Sequence, residues 1–331
     1  MREKLLSRPK IFITRPLQAL VVERLAARCE VRMNPQDLRM LPAQLAEACR
    51  EVEGLMSAGT PVNEEVLNAM PRLRVIANVG VGYDAIDVAA CTRRGIVVTN
   101  TPGVVTDATA DLAFGLLIAV ARRLVEADRF VREGHWHYWQ WGYMWGTNPS
   151  GKTLSLYGFG RIGQAVARRA RGFSMRILYY ALDRLSPAQE QELGAQFVPP
   201  DMLLRQADFL SLHVPLTPET EHLISARELA LMKPTAFLIN TSRGKVVEET
   251  ALVEALQAKR LAGAALDVFE HEPQIHPALL ALPNVVMSPH IGTASGETRL
   301  AMATMAAENL LAFFDGHCPP NAVNPEALTG R

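Results

Sequence analysis

The chain has 331 residues, too many for one ordinary hydrophobic core and enough for two domains of common size. Lys plus Arg and Asp plus Glu are equal at 34 each, and no block of like charge occurs, so nothing indicates a nucleic-acid-binding surface. The longest apolar run, residues 112–121, falls short of the roughly 18 residues that a membrane span needs. We therefore expect small molecules or further copies of this chain as partners.

The cysteines and the N-terminal sequence bear on the cellular compartment. Cys29, Cys49, Cys91 and Cys318 are scattered, without the paired spacing of a zinc site or a redox motif, which is typical of free thiols in a reducing compartment. The N-terminal residues pass straight into a strand-like run and lack the features of a signal peptide. These observations predict a cytoplasmic protein that binds no metal ion.

The first third of the chain alternates short β-rich runs with helical stretches. The predicted strands are IFIT, EVRM, GLMSA, RVIANV and GIVVTN, and the predicted helices cover residues 17–28, 42–50, 63–70 and 86–93. Alternation of this kind predicts a parallel sheet with helices on both faces.

A long helical stretch, residues 106–132, comes next. Its middle is apolar on all sides, so we expect a helix buried between larger bodies and interpret it as a spine that joins two domains. A second alternating series then runs through TLSLYG, MRILYY, QFV, DFLSLHV, TAFLIN, GAALDVF and NVVMS, and an amphipathic helix over residues 296–314 closes the pattern. The sequence predicts an α/β protein with two doubly wound parallel sheets.

The stretch Gly158-Phe159-Gly160-Arg161-Ile162-Gly163 fits the pattern G-x-G-x-x-G. Such a pattern alone is equally typical of an ordinary glycine-rich turn. Here a buried-strand run, TLSLY, precedes it and a helix over residues 161–171 follows, which points backbone N–H groups at a pyrophosphate. We therefore predict dinucleotide binding.

The residues that select NAD or NADP are expected after the second strand of this series, MRILYY. An acid that binds the ribose 2′-hydroxyl is absent from its usual place, which Ala181 and Leu182 occupy. Asp183 could substitute for that acid, Arg184 could bind a 2′-phosphate, or both could be solvated loop charges. We slightly favour NADP, with dual use of NAD.

Candidate reacting groups follow three strands of the second series. Arg243 comes after TAFLIN, Glu272 comes after GAALDVF, and His290 comes after NVVMSP. Each has a plain alternative, as a surface ion pair, a solvated acid or a histidine without chemical role. Because ligands of such sheets sit beyond the carboxyl ends of the strands, the three are expected to converge. An arginine to bind a carboxylate or carbonyl, an imidazole to deliver a proton and a carboxylate to keep that imidazole charged suit hydride transfer to a 2-oxo acid.

Nearly the whole sequence resembles the D-isomer-specific 2-hydroxyacid dehydrogenases, with most similarity to glyoxylate/hydroxypyruvate reductases and 2-ketogluconate reductases. The matching stretches are NVGVGYDAID, NTPGVVTDATADLAFGLLIAVAR, LYGFGRIGQAVARRA, FLINTSRGKVVEETALVEAL, AGAALDVFEHEP and SPHIGTAS. The resemblance implies a flavodoxin-like substrate domain and a Rossmann cofactor domain with the active site in the cleft between them. The sequence departs from the family at Ser155, where glycine is frequent, and at Ala181-Leu182.

The resemblance also implies roles for individual residues. Arg243 would bind substrate, His290 would donate the proton, Glu272 would pair with His290, and the amides near Val81 and Gly82 would hold the substrate carboxylate. Asp267 would lie near the nicotinamide. The cofactor-binding residues predicted in all are Thr109, Gly158, Phe159, Gly160, Arg161, Ile162, Gly163, Ala181, Leu182, Asp183, Arg184, His213, Pro215, Thr241, Ser242, Asp267 and Gly292.

We predict a substrate-binding domain over residues 1–103, completed by 292–331, and a cofactor domain over 104–291. A hinge near Pro102-Gly103 and Gly292 would close the cleft. The predicted reaction is reversible reduction of a short 2-oxo acid to its D-2-hydroxy acid. The alternative is a nucleotide-sensing, corepressor-like scaffold of the same fold, for which long disordered extensions would be expected.

All four tryptophans lie in HWHYWQWGYMW, residues 135–145, which we call the aromatic segment. One interpretation packs its rings against the preceding helix of the same chain. The other makes the segment an arm that embraces a second subunit, because aromatic residues are enriched in interface cores. Family resemblance favours the arm and places a tryptophan, Trp139 or our choice Trp141, at the partner's substrate site. We therefore predict a homodimer.

Overall fold

In a computed structural model of the chain, residues 8–328 are described and form two compact units. The first unit combines the residues up to Val105 with those from Ala294 onward, and the second unit is Thr106–Thr293. In the described range, no helix is long and apolar enough to cross a membrane.

The first unit contains a five-stranded parallel sheet. Its strands are β1 (Lys10–Ile13), β2 (Glu30–Met33), β3 (Gly54–Ser57), β4 (Val75–Asn78) and β5 (Val97–Thr99), and its first helices are α1 (Ala19–Ala26), α2 (Pro42–Cys49), α3 (Glu64–Asn68) and α4 (Val88–Arg93). The strand order is β2-β1-β3-β4-β5, which is the flavodoxin-like arrangement. Strands β3 and β4 are buried at every position, as continuous apolar runs in a doubly covered parallel sheet should be.

The second unit contains a seven-stranded parallel sheet with helices on both faces. Its strands are β6 (Thr153–Tyr157), β7 (Arg176–Tyr180), β8 (Ala195–Phe197), β9 (Phe209–Leu212), β10 (Phe237–Asn240), β11 (Gly263–Leu266) and β12 (Val285–Met287). Its helices are α5 (Thr106–Ala121), α6 (Leu124–Arg132), α7 (Arg161–Arg171), α8 (Pro187–Leu193), α9 (Pro200–Gln206), α10 (Ala226–Leu231), α11 (Glu249–Gln257) and α12 (Pro277–Ala281).

The order of the seven strands is β12-β11-β10-β9-β6-β7-β8. Strand β6 therefore lies between β7 and β9, and the direction of the winding reverses there, as in a Rossmann fold. Two hydrophobic cores cover the two faces of the sheet, one with helices α9 to α11 and the other with α5 and α7. The prediction of two doubly wound parallel sheets is confirmed.

A last helix, α13 (Gly296–Phe314), belongs to the first unit. It begins at Ser295, whose side chain accepts a hydrogen bond from the Thr298 N–H at 3.1 Å. The helix packs on β3, β4 and α1. The phenyl ring of Phe314 stands so close to Gly54 that an added Cβ there would lie 3.0 Å from it. The C-terminal part of the chain is therefore needed to cover the sheet built by the N-terminal part.

The single helix predicted over residues 106–132 is wrong in one respect, because it breaks between α5 and α6. Arg123 has a left-handed backbone with φ of 54°. The chain comes back to the end of α5 at Thr147, whose N–H donates to the Ala121 carbonyl at 2.8 Å. That carbonyl is therefore bonded outside the helix, and α5 ends there. Helix α5 itself packs on α7, β10 and β11 of its own unit, whereas α6 has no buried residue.

Candidate active site

The glycine loop joins β6 to α7 at the point where the strand order reverses. Gly158 has φ of +90°, and a Cβ there would lie 2.5 Å from the His213 carbonyl oxygen at the end of β9. A Cβ on Gly163 would lie 2.5 Å from the Gly158 carbonyl oxygen. A Cβ on Gly160 would meet nothing within 4 Å. The outer two glycines are therefore required by packing within the protein, and the middle one leaves room for a ligand to approach the backbone.

The start of α7 supplies the polar groups of this loop. Helix α7 begins after Gly160, and the first N–H groups of a helix have no partner within the helix. Phe159 faces inward and stacks on Tyr179 at 4.1 Å between ring centroids, so it holds the loop from the core side. Ser155 is buried in β6 and donates to the Leu203 carbonyl at 2.8 Å, which accommodates this departure from the family. The loop as built fits the pyrophosphate of a dinucleotide.

The residues at the end of β7 are open to solvent. Leu182 is 94% exposed, and Ala181 is half-buried. The Arg184 guanidinium makes two bonds to Glu190, at 2.9 and 3.0 Å, and lies 5.3 Å from the centroid of the Phe197 ring. The hydrogen bonds from Arg184 are the main reason that the pKa of Glu190 is lowered. Arg184 is thus held beside the strand end by an ion pair and an aromatic ring.

The turn that carries Arg243 is held by Asn240, the last residue of β10. The buried Asn240 amide donates to the Arg243 carbonyl at 2.9 Å and accepts from the Ser242 N–H and hydroxyl at 3.0 and 2.8 Å. Gly244 then packs against the next strand end, because a Cβ there would lie 1.9 Å from the Phe269 carbonyl group. The buried Thr241 hydroxyl is among the side-chain oxygens of residues 8–328 with no hydrogen-bond partner in the protein.

Glu272 and His290 form a direct pair. One Glu272 oxygen lies 2.8 Å from His290 Nδ1, and the other accepts from the Phe269 N–H at 3.0 Å. Burial alone would raise the pKa of Glu272, but the hydrogen bond and charge of His290, the Phe269 amide and the charge of Arg243 together lower it. The carboxylate is therefore ionised at neutral pH, and the second imidazole nitrogen, Nε2, is the one left for other contacts.

Asp267 holds the backbone around His290 in place through hydrogen bonds. Its buried carboxylate accepts from the Ser288 hydroxyl at 2.6 Å, from the Ile291 N–H at 2.8 Å and from the Gly292 N–H at 2.7 Å. His290 has φ of 54°, a left-handed conformation that a bulky side chain rarely adopts. The three bonds to Asp267 hold this strained turn in place.

The remaining residues expected near the cofactor are distributed around this sheet edge. A Cβ on Gly292 would lie 3.6 Å from the Thr109 side chain, so these two residues are neighbours. His213 Nε2 lies 2.9 Å from the Ser211 hydroxyl, and burial lowers the pKa of His213 to about 4, so this imidazole is neutral. Pro215 is exposed, and its carbonyl accepts from the Thr220 hydroxyl at 2.7 Å.

In the first unit, the carbonyl groups of the loop after β4 accept hydrogen bonds from nearby amides. The Asn78 amide donates to the carbonyls of Gly80 and Gly82, each at 2.9 Å. The Asn100 amide donates to the Val81 carbonyl at 2.9 Å, and the Thr101 N–H also donates to Gly80 at 3.0 Å. Because these carbonyls already accept hydrogen bonds within the protein, the N–H groups of Val81 and Gly82 are the polar groups that this loop can offer to an anion.

Sequence reasoning missed Asn78, Asn100, Asn240 and Ser288 as supports of the candidate site. Each asparagine closes an apolar strand run, in VIAN, VVTN and FLIN, and Ser288 closes VVMS. A polar residue at the last position of a buried strand was the available signal. In parallel sheets that position faces the ligand edge, where loop carbonyls and amides need side-chain partners.

The aromatic segment lies between α6 and β6 and is largely exposed. Its tryptophans have exposed fractions from 56% at Trp136 to 78% at Trp141. Two contacts are internal to the segment: the Trp145 indole donates to the Trp141 carbonyl at 2.8 Å, and the Trp139 and Trp141 rings lie 6.2 Å apart. Phe130 of α6 contacts the rings of His135 and Tyr143. Trp145 lines a surface pocket together with Val125 and Arg129 of α6. The arm that embraces a second subunit stays a prediction.

A Rossmann sheet with a glycine loop, and an arginine, a glutamate and a histidine at the ends of β10, β11 and β12, define a nicotinamide-dependent oxidoreductase. A histidine paired with a carboxylate is chemically able to deliver a proton when a hydride is transferred. Within the described residues, no group of three His, Cys, Asp or Glu side chains could hold a metal ion.

Comparison with known proteins gives the family. The profile of the D-isomer specific 2-hydroxyacid dehydrogenase NAD-binding domain matches residues 114–292. The chain is 50% identical over 327 residues to the glyoxylate reductase of Thermococcus litoralis, with 97% of this chain and 98% of that one covered. The chain belongs to the D-isomer specific 2-hydroxyacid dehydrogenase family and is an NAD(P)-dependent oxidoreductase.

Solved structures agree with this assignment. A glyoxylate reductase from Paecilomyes thermophila has a TM-score of 0.87 at 35% identity, with 96% of this chain and 99% of that one covered. An NADPH-dependent glyoxylate/hydroxypyruvate reductase from Sinorhizobium meliloti, in complex with NADP and malonate, has a TM-score of 0.86 at 37% identity, with 97% and 98% covered. The alternative of a corepressor-like scaffold is not favoured by these similarities.

Proposed function

We propose that the protein reduces glyoxylate, or a closely related short 2-oxo acid such as hydroxypyruvate, to the corresponding D-2-hydroxy acid. The observation that carries the proposal is the 2.8 Å contact between His290 and Glu272, next to the Arg243 turn and on the same sheet as the glycine loop. Relatives named glyoxylate reductase, at about half identity over nearly the full length, support the substrate class.

Three side chains would perform the chemistry of the protein. When bound, NAD(P)H supplies the hydride that reduces the 2-oxo carbon. Arg243 would polarise the carbonyl and bind the substrate with its planar guanidinium. His290 would donate its Nε2 proton to the carbonyl oxygen, while Glu272 holds Nδ1 and keeps the imidazole charged and oriented.

The first unit would hold the substrate and the second the cofactor. The Val81 and Gly82 amides, whose loop carbonyls are taken by Asn78 and Asn100, would bind the substrate carboxylate. The glycine loop and the start of α7 would bind the pyrophosphate, and the buried hydroxyl of Thr241 supplies a further polar group at the same sheet edge.

The cofactor we propose is NADP(H), with NAD(H) also accepted. Ala181 and Leu182 present no carboxylate at the position where an acid usually repels a 2′-phosphate, although Asp183 follows them. The Arg184 guanidinium, beside Glu190, is the nearest cation on the strand-end loop. The NADP complex of the Sinorhizobium meliloti relative is consistent with this choice.

The quaternary structure we propose is a homodimer formed through the aromatic segment. Three apolar residues of α6, namely Leu124, Val125 and Val131, are at least 45% exposed and precede the exposed tryptophans. Exposed large apolar side chains in such number are typical of an interaction site. A twofold axis would bury both copies at once, and Trp141 would reach the substrate site of the partner subunit.

We also propose a cytoplasmic location. All four cysteines are free, and burial raises the pKa of the Cys49 and Cys91 thiols to about 12, so these two are inert.

Absorbance at the reduced-nicotinamide band tests the proposal directly. NADPH or NADH is mixed with glyoxylate, hydroxypyruvate, 2-ketogluconate or phenylpyruvate, and initial rates give kcat/KM for each pair. We expect the highest kcat/KM with glyoxylate or hydroxypyruvate and NADPH. A protein that binds NADPH but oxidises it with none of the four acids would refute the proposed activity.

A further inference from the structure

His222 lies outside the catalytic trio but is attached to the turn that carries Arg243. The segment around it runs beside the residues that follow this arginine. The His222 N–H donates to the Lys245 carbonyl at 2.8 Å, and the Ile224 N–H donates to the Val246 carbonyl at 3.0 Å. His222 has φ of 52°, so its backbone takes a conformation that a residue with a Cβ rarely adopts. The backbone therefore places this side chain at a defined point next to the Arg243 turn.

The imidazole of His222 reaches the segment that carries Glu272. Its Nε2 lies 2.7 Å from one oxygen of Glu270, two residues before Glu272. The other Glu270 oxygen accepts from the Glu249 N–H at 3.1 Å, and the Glu249 carboxylate accepts from the Glu270 N–H at the same distance. Glu270 is therefore hydrogen-bonded to two elements, the start of α11 and the segment that contains His222.

The segments that follow β10 and β11 also pack directly against each other. Gly244, the residue after Arg243, packs directly on the peptide between Phe269 and Glu270, where a Cβ would lie 1.9 Å from Phe269. A displacement of the Glu270 peptide must therefore move Gly244, and with it Arg243. Because interiors are close-packed, such a displacement is transmitted rather than absorbed.

We propose that His222 is a positioning residue, which couples the Arg243 turn to the Glu272 segment through its bond to Glu270. This inference rests on the proposed roles of Arg243 and Glu272. The His222 side chain is 42% exposed, and a pair at such a site contributes little to stability. Its value is geometric, since small misplacements of reacting groups lower turnover strongly.

Steady-state kinetics with NADPH and glyoxylate test the proposal. We expect His222→Ala to lower kcat/KM for glyoxylate about tenfold, mainly in kcat, because the reacting groups lose alignment. The Kd of NADPH, measured by nicotinamide fluorescence, should stay within about twofold and serves as the folding control. His222→Gln keeps an N–H near the position of Nε2 and should restore most of the loss. His317→Ala, at an exposed histidine of the first unit, is the matched control and should behave as wild type.

A double-mutant cycle with Glu270→Ala separates coupling from two independent effects. If the two residues act as one pair, the double variant should be no slower than the slower single variant. Additive losses, a His222→Ala value within twofold of wild type, or a His222→Gln variant as slow as His222→Ala would each overturn the proposal. Arg243→Lys is measured in parallel: if it keeps full turnover, the proposed roles fail and this inference fails with them. If it loses turnover while His222→Ala does not, only this inference fails.

Discussion

The ends of β10 to β12 and the aromatic segment are two parts of the second unit that differ in how their side chains are bonded and exposed. At the strand ends, the polar side chains bond to one another, through Asn240, Asp267 and the pair of Glu272 with His290. In the aromatic segment, the four tryptophan rings have exposed fractions from 56% to 78%. The first region has its geometry determined within one chain, whereas the second has an exposed surface that a second copy would cover in the proposed dimer.

The largest effect should come from Arg243→Lys. A flexible ammonium cannot reproduce the planar contact of a guanidinium, so we expect a loss of about a hundredfold or more in kcat/KM for 2-oxo acids. NADPH affinity, measured by fluorescence titration, should hardly change, because the glycine loop is untouched. If turnover survived this change, the strand-end cluster would be a structural feature and not a reacting one.

Deletion of residues 136–145 tests the role of the aromatic segment. Without the tryptophans, we expect the dimer to dissociate to monomers at micromolar concentration, as sedimentation velocity would show. The milder variant Trp141→Ala should alter the relative kcat/KM values for glyoxylate and hydroxypyruvate more than the Kd of NADPH. A wild-type protein that sediments as an active monomer would contradict this explanation of the exposed rings.

Asn78→Ala asks whether the loop of the first unit depends on side-chain support as the strand ends of the second unit do. Removal of the amide frees the carbonyls of Gly80 and Gly82, and we expect KM for glyoxylate to rise about tenfold through misaligned N–H groups. NADPH binding is the control, because this loop lies in the other unit. An unchanged KM would mean that Val81 and Gly82 do not bind the substrate carboxylate.

Glu272→Gln should shift the pH dependence of reduction. The Glu272 carboxylate places a negative charge and a hydrogen-bond acceptor 2.8 Å from His290 Nδ1, which supports a proton donor at that ring. Since the pKa of Glu272 is lowered, this support is present at neutral pH and is lost only as the pH falls through that pKa. In the glutamine variant the support is absent throughout, and the alkaline limb of kcat/KM should move down by about one pH unit or more. The same limb in both proteins would reject the pairing as a catalytic feature.

Ala181→Asp should change the choice of cofactor and leave the reacting groups unaffected. A carboxylate at the end of β7 would repel a 2′-phosphate and accept a bond from a 2′-hydroxyl, so the ratio of kcat/KM for NADPH to that for NADH should fall by about tenfold. Gln191→Asp is the matched control, because Gln191 is exposed and the change adds the same charge on nearby α8. Leu193→Asp would not serve, because Leu193 is buried. An equal ratio before and after the Ala181 change would mean that this residue does not contact the ribose.

Much of the fold could be predicted from local sequence. Runs such as TLSLY and FLIN are apolar because parallel strands are covered on both faces, and Gly163 is required by a contact with Gly158 within a single strand–turn–helix unit. Arg243, Glu272 and His290 could be singled out for the same reason, since the edge where strands end is readable once the strands are known.

Other features depend on residues that are distant in sequence, and only the tertiary structure decided them. Helix α5 ends where the Thr147 N–H binds the Ala121 carbonyl, and the Val81 carbonyl of the loop after β4 is bound by the Asn100 amide. The link from His222 to Glu270 joins positions 48 residues apart. Periodicity and propensity report which face of an element is buried, but they carry no information on which polar group will meet which. That choice is made when the elements pack, because each buried donor and acceptor must then find a partner among the groups that packing brings near.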